Sequence, residues 1–144
     1  MKGIITKTSM LISKVGPIGN LPYAQGTICS MFATLLGYYV NHYYGSDITL
    51  IFALISGIIG WKCTKIYLKF TRKKDPKEVV IDEFSGQLIA TSAAGLSPIA
   101  NIISFILFRY FDIFKPLFIK QCERFPGATG VMLDDWVAGF LGSI

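Results

Sequence analysis

The sequence predicts an all-α fold, a compact multihelical membrane protein built from two helical hairpins and a C-terminal helix. Three observations predict it. Hydrophobic residues make up 52% of the chain, mean hydropathy is +0.52, and only 16% of residues are charged. A soluble domain carries about 25% charged residues, so too few ionic side chains remain here to coat a water-facing surface. Apolar residues also run in long stretches: residues 28–61 hold one formal charge, Asp47, and residues 86–108 hold none. Finally, each region is interrupted by turn-forming residues, His42-Tyr43-Tyr44-Gly45-Ser46-Asp47 and Gly95-Leu96-Ser97-Pro98. At 144 residues the chain suits one domain, 1–144, and is too short for two comfortable ones.

The N-terminal segment carries Lys2, Lys7 and Lys14 and has neither the long uncharged core nor the small-residue cleavage site of a signal peptide. The first hairpin is expected over about 28–41 and 48–67, near the lower limit of the ~17–25 residues that cross a bilayer. Its turn lacks Lys and Arg, whereas seven of the fourteen basic residues lie between Lys62 and Lys77. The positive-inside rule then places the turn outside and the N-terminus and residues 62–85 in the cytoplasm. Read as one span, residues 86–108 would export Arg109, Lys115, Lys120 and Arg124 and separate Asp82-Glu83 from Asp112. A second hairpin, turning at Gly95–Pro98, avoids both. Asp82 lies thirteen residues before Gly95 and Asp112 fourteen after Pro98, so at ~1.5 Å per residue both stand about 20 Å from the turn, side by side. The last apolar segment, 131–144, carries Asp134 and Asp135 in its first turn or so, where acids suit the positive end of the helix dipole.

The net charge of +5 does not point to nucleic acid, because the basic residues are not spread over an aromatic-studded face. A basic block against an apolar segment fits a cytoplasmic loop beside anionic lipid headgroups. No protein partner is evident. Cys29, Cys63 and Cys122 are odd in number and widely spaced, which gives neither a disulfide framework nor a zinc knuckle. The single histidine, His42, sits in the outer turn away from every acidic cluster, so a phosphohistidine mechanism and a Ser-His-Asp triad both lack a base. No cysteine has an arginine six positions on, and no lysine-bearing glycine loop of the nucleotide-binding type occurs.

What remains is carboxylate chemistry. Five of the nine acids fall at the expected cytoplasmic helix ends: Asp82, Glu83, Asp112, Asp134 and Asp135. Hard oxygen donors in this number suit magnesium, and clustered carboxylates need a cation or raised pKa values to coexist at pH 7. Each acidic pair alone could be a solvated helix end; their meeting at one level is what points to a site. Arg109 and Lys115 flank Asp112 at spacings of three, on one helix face, where arginine can hold phosphate oxygens bidentately and lysine supplies a compact charge. The glycine-rich stretch from Gly16 to Thr27 runs into the first helix, whose free backbone N–H groups near Gly26, with the Thr27 and Ser30 hydroxyls, could receive an anion. Gly127-Ala128-Thr129-Gly130 is a second such helix entry.

Together these blocks resemble the phosphatidylglycerophosphatase A family. Its pattern Gly-x-x-Pro-x-x-Pro-Gly-Thr-x-Gly-Ser corresponds to Gly19 to Ser30, and its Asp-Glu helix to Val80-Ile81-Asp82-Glu83-Phe84-Ser85-Gly86. Phe-Arg-x-x-Asp-x-x-Lys-Pro corresponds to Phe108 to Pro116, and Gly-x-Met-x-Asp-Asp-x-x-Ala-Gly to Gly130 to Gly139. Two positions depart: Gln25 stands for proline and Cys29 for glycine. The chain also ends soon after the double-aspartate helix, where members of the family continue. The resemblance implies a helical enzyme of the bacterial inner membrane, facing the cytoplasm, that removes the terminal phosphate of phosphatidylglycerophosphate with Mg2+. It implies that Asp82, Glu83, Asp112, Asp134 and Asp135 are catalytic and hold one or two magnesium ions, and that Arg109, Lys115, Gly26, Thr27 and Ser30 bind phosphate. The nucleophile is a metal-activated water or an attacking aspartate. Three other readings stay open: a phosphatase for another lipid phosphate, a soluble relative with the same active-site acids, and a non-enzymatic cation-binding membrane subunit, which accounts for the helices but not for the clustered acids.

Overall fold

Glycine and proline set the helix boundaries in a computed structural model that describes residues 2–74 and 76–143. The helices are α1 (Lys2–Ser13), α2 (Gln25–Tyr44), α3 (Ser46–Thr71), α4 (Ile81–Ala94), α5 (Pro98–Phe114), α6 (Leu117–Cys122) and α7 (Ala128–Gly142), with a 3-10 turn at Ile18–Asn20. No strand occurs among the described residues.

The first hairpin turns on Gly45 alone, at φ 89°, a conformation glycine adopts without steric cost. The arms outrun the expected 28–41 and 48–67. Helicity continues past the apolar stretch because Lys62, Lys65 and Lys69 are good helix formers, and Lys69 lies in the last turn, at the negative end of the dipole. The second hairpin matches expectation closely. Ser97 Oγ accepts the Ala100 N–H at 3.2 Å and Pro98 occupies the first helical position, so the breaker pair of the sequence is a cap. The two turns are tied together. Asn41 Nδ2 donates to Thr91 O at 2.9 Å and Gly95 O at 3.2 Å, and Asn101 Nδ2 donates to Gly95 O at 3.0 Å. With both turns at one end, the start of α2, the end of α3, the start of α4 and the end of α5 meet at the other.

Helix α4 is the core. From Ile81 to Ser92 every residue except Glu83 is buried, enclosed by α2, α3, α5 and α7. Phe84, Leu88 and Ile89 pack with Ala33, Ala53 and Met132, while Phe108, Ile119 and Ala138 form a second cluster beside Ala90. Where α4 crosses α7, a Cβ on Gly139 would stand 2.3 Å from Gly86 O, and one on Gly86 2.5 Å from Asp135 O. This backbone-to-backbone contact carries the double aspartate to the start of α4.

Three elements differ from the sequence expectation. Helices α1 and α6 were not anticipated: α1 mixes Lys, Thr and Ile and lies along α3, its end tied by the Val80 N–H to Ser13 O at 3.0 Å, and α6 spans only six residues after Pro116. Helix α7 starts at Ala128, not 131, because Thr129 and Gly130 are packed into place. Trp61 Nε1 donates to Thr129 Oγ1 at 3.2 Å, and Gly130 abuts Phe125 O. Asp134 and Asp135 therefore fall in the second turn, beyond the reach of the helix dipole invoked for them. Ile144 lies outside the described residues.

The outer surface carries large exposed apolar side chains: Met31 and Leu35 on α2, Ile51, Ile55 and Ile58 on α3, Ile99, Ile102 and Ile106 on α5. Contiguous exposed apolar surface marks a membrane or partner face. Among the described residues α3, with 26 residues, is the one helix long and apolar enough to cross a membrane. Helices α4, α5 and α7, with 14, 17 and 15 residues, rise about 21, 26 and 23 Å, short of the ~30 Å hydrocarbon core.

Candidate active site

The end where four helices meet is polar. In the first turn of α4, Asp82 is buried and its Oδ1 accepts the Glu83 N–H at 2.9 Å. Asp134 repeats the device on α7, its Oδ1 accepting the Asp135 N–H at 3.0 Å. Burial holds the Asp82 carboxyl well above the ordinary range, and the neighbouring charges of Glu83, Asp134 and Asp112 push it further. Asp135 is raised for the same reasons, burial first and then Asp112 and Asp82. Neither α4 nor α7 is long enough to span, and these acids open to the polar end of the molecule.

Two cations compensate the cluster. Arg109, a turn before the end of α5, donates through Nη1 to Asp112 Oδ2, and the same Nη1 lies 3.7 Å from Glu83 Oε1. Its Nε is buried without a hydrogen-bond partner among the described residues. Lys115 terminates α5 at φ 43°, a left-handed conformation that turns the chain into Pro116. Its Nζ donates to Asp134 Oδ2 at 2.7 Å and Glu123 Oε1 at 3.0 Å. Burial alone would lower the Lys115 pKa, but these two carboxylates raise it above the usual lysine value. Asp134 is itself raised, because its burial outweighs the Lys115 bond.

These groups face a cleft of about 790 Å3. Asp82, Glu83, Asp112, Lys115, Asp134, Asp135 and Gly26 all line it. Gly26 does so by close approach, since a Cβ there would stand 1.9 Å from Glu83 Oε1. Arg109 reaches the cleft only through Glu83 and Asp112. Thr27 and Ser30 are not brought into the lining: Thr27 is half-buried, and the buried Ser30 hydroxyl donates to Gly26 O at 2.9 Å inside its own helix. Gln25, the departure from the proline pattern, is the first residue of α2, a position that requires no intrahelical N–H bond, and its Nε2 donates to Leu21 O at 2.7 Å. Cys29 replaces glycine against α4, its Sγ donating to Val80 O at 3.3 Å.

The sequence reading missed Glu123, Lys73, Lys74, Lys77 and Arg124, all of which line the cleft. The basic block was assigned to lipid headgroups, and only the fold of α3 back against α4 shows that it also rims the site. For Glu123 the available signal was Pro116 and Pro126, which confine α6 to one short helix that returns toward Lys115.

Among the described residues no three acidic, histidine or cysteine side chains stand in metal-ligating geometry; Asp112 and Asp134 are turned onto Arg109 and Lys115 instead. The donor type is nevertheless the one that a hard divalent cation takes. The set is all carboxylate oxygen, it faces one cleft, and burial and mutual repulsion raise Asp82 and Asp135, a strain that a divalent cation relieves.

The phosphatidylglycerophosphatase A family model matches residues 11–144. The chain belongs to the phosphatidylglycerophosphatase A family. Within it, the chain is 34% identical over 129 residues to phosphatidylglycerophosphatase A of Haemophilus influenzae, covering 88% of this chain and 78% of that one. It is also 31% identical over 131 residues, 84% of this chain and 80% of the relative, to a Bacteroides thetaiotaomicron protein provisionally named phosphatidylinositol-3-phosphatase. An uncharacterized protein of Methanocaldococcus jannaschii is 39% identical over 75 residues, 51% of each chain. No solved structure matches. As a phosphatidylglycerophosphatase A family member the protein is a lipid phosphatase.

Proposed function

We propose that the protein hydrolyses the terminal phosphomonoester of phosphatidylglycerophosphate, with Mg2+, at the cytoplasmic face of the bacterial inner membrane. One observation carries the reading. Acids from α4, α5 and α7, with Lys115, converge in a single cleft at the end of an apolar belt.

In this reading Asp82, Glu83, Asp112, Asp134 and Asp135 hold the metal, which supplies charge neutralisation and polarisation of the phosphoryl oxygens when bound. Lys115 binds non-bridging oxygens, and Arg109, which meets the cleft through Glu83 and Asp112, sets the charge and position of those two carboxylates. Water attacks phosphorus, a new P–O bond forms, and the bond to the glycerol oxygen breaks, giving phosphatidylglycerol and inorganic phosphate. A carboxylate of the cluster takes a proton from the attacking water and a proton is returned to the departing glycerol oxygen, so that the products are the free hydroxyl and inorganic phosphate. The basic rim of Lys73, Lys74 and Lys77 suits an anionic headgroup and, under the positive-inside rule, supports a cytoplasmic cleft.

The test is phosphate release by the purified, detergent-solubilised protein, with Mg2+ or with EDTA, from phosphatidylglycerophosphate, phosphatidate and phosphatidylinositol 3-phosphate. Magnesium-dependent release selective for the first lipid is expected. Preference for the inositol lipid would transfer the substrate to that named for the Bacteroides relative, and undiminished release in EDTA would remove the metal.

A further inference from the structure

Helices α2 and α5 enclose a second groove, of about 470 Å3, outside the cleft, within the roughly 300–1,000 Å3 range of small-molecule sites. Its walls include Met31, Leu35 and Tyr38 on α2 and Pro98, Ile102 and Phe105 on α5. The two other polar residues that line it turn their donors into the backbone: Thr34 Oγ1 donates to Ser30 O at 2.9 Å, and Asn101 Nδ2 to Gly95 O and Ser97 O. Apart from the Tyr38 hydroxyl, the walls offer hydrocarbon. Met31, Leu35 and Ile102 are exposed, so the groove opens sideways onto the apolar belt.

Its register connects it to the site. On α5 the wall residues Pro98, Ile102 and Phe105 continue, at the same three-to-four spacing, to Arg109 and Asp112. On α2, Tyr38, Leu35 and Met31 continue to Thr27, next to Gly26. Residues at this spacing share one helix face, so on α5 the groove wall and the cleft residue Asp112 stand in one line. From Arg109 to Pro98 the helix rises about 16 Å, close to the ~15 Å depth of one leaflet of a ~30 Å hydrocarbon core.

We propose that the α2/α5 groove binds one acyl chain of the lipid substrate and so holds the phosphomonoester headgroup over the cleft. The proposal rests on the lipid-phosphatase reading and adds to it a place for the hydrophobic half of the substrate. The occupant follows from the shared α5 face: an apolar groove that opens sideways onto the belt stands on the same helix face as Asp112, which lines the charged cleft.

The experiment uses the full chain in phosphatidylcholine vesicles, with phosphatidylglycerophosphate carrying a photoactivatable diazirine midway along one acyl chain, in EDTA to halt turnover. Label is expected on residues 31–38 and 98–105, suppressed by excess unlabelled phosphatidylglycerophosphate but not by added phosphatidylcholine. Leu35→Trp, which fills the groove, should lower that labelling and raise KM for the dipalmitoyl substrate about tenfold, a change of roughly 1.4 kcal/mol. Ile58→Trp, on the lipid-facing side of α3, should do neither. Label spread evenly over Ile51, Ile55 and Ile58, or equal competition by phosphatidylcholine, would overturn the proposal, as would crosslinking of the groove to a second copy of the chain. Phosphate release measured on the same vesicles with Mg2+ separates the two readings. Release without groove label refutes the groove alone, whereas groove label from a phosphatidate probe without release from any lipid keeps the groove and refutes the phosphatase assignment.

Discussion

Asp82 and Asp135 are buried acids on two helices that touch backbone to backbone, and their charges cost free energy that no single lysine or arginine removes. That cost has a measurable consequence in the metal-free protein. Asp82, Asp134 and Asp135 all have pKa values raised in the fold, so the folded state keeps protons that the unfolded chain has released. Their contribution to stability is therefore complete below the unfolded carboxylate range, near ~4, and is lost as pH rises through the raised folded values. In EDTA the thermal midpoint should fall between pH 5 and pH 8, and magnesium should restore it at pH 8 but not at pH 5. A midpoint that is flat or rising over that interval would contradict the burial argument. For catalysis, Asp82→Asn and Asp112→Asn should each lower kcat at least about a hundredfold, the scale of losing one preorganised charge at a transition state. Full magnesium-dependent activity in both variants would displace the metal from this cleft. At this scale the acids, Arg109 and Lys115 were legible in the sequence because charge is rare in an apolar chain and each one stands out. Thr27 and Ser30 were misplaced because a hydroxyl at a helix start reads the same whether it faces a ligand or, like Ser30, its own backbone.

Element packing decides where those residues meet, and the decisive contact is the α4–α7 crossing at Gly86 and Gly139. A methyl group at Gly139 would meet Gly86 O at 2.3 Å, a backbone atom that cannot rotate away, so the helices must separate. Gly139→Ala should destabilise the fold by about 1–3 kcal/mol, the usual range for overpacking, and lower activity by moving the Asp135 segment away from α4. Gly3→Ala in α1, where a Cβ meets nothing within 4 Å, is the matched control and should be neutral or slightly stabilising. Equal behaviour of the two variants in thermal unfolding would show that the crossing can open to admit a methyl group. The hairpins themselves were readable from Gly45, Gly95 and Pro98, since breakers inside apolar runs have few other uses. The start of α7 was not, because Thr129 and Gly130 are poor helix formers held by Trp61 and Phe125, residues distant or irregular in the sequence. Tertiary packing overrode propensity there, as it did in joining α1 to α3.

For the whole molecule the relevant length is the distance between its two polar ends. Between Gly26 and Asn41, and again between Glu83 and Gly95, the helices rise only about 20 Å, less than the ~30 Å hydrocarbon core. If the bundle is seated in a bilayer, helices this short beside the 26-residue α3 require it to thin or the bundle to settle, and either adjustment lowers the cleft toward the depth of the lipid headgroups. In the proposed reaction, that depth would bring substrate phosphorus and acidic cluster to the same level without lifting the lipid from its leaflet. The same geometry fixes an orientation to be tested. Ser46, exposed at the first hairpin turn, and Lys74, exposed on the cleft rim, lie at opposite ends of α3. In intact cells a membrane-impermeant maleimide should label Ser46→Cys, and should label Lys74→Cys only after permeabilisation. The reverse pattern would invert the orientation and put the site on the wrong side of the membrane for a cytoplasmic magnesium supply. Protection of both positions in intact cells would mean that the hairpin enters the membrane from the cytoplasm without crossing, against the length of α3, whose 26 residues suffice to span.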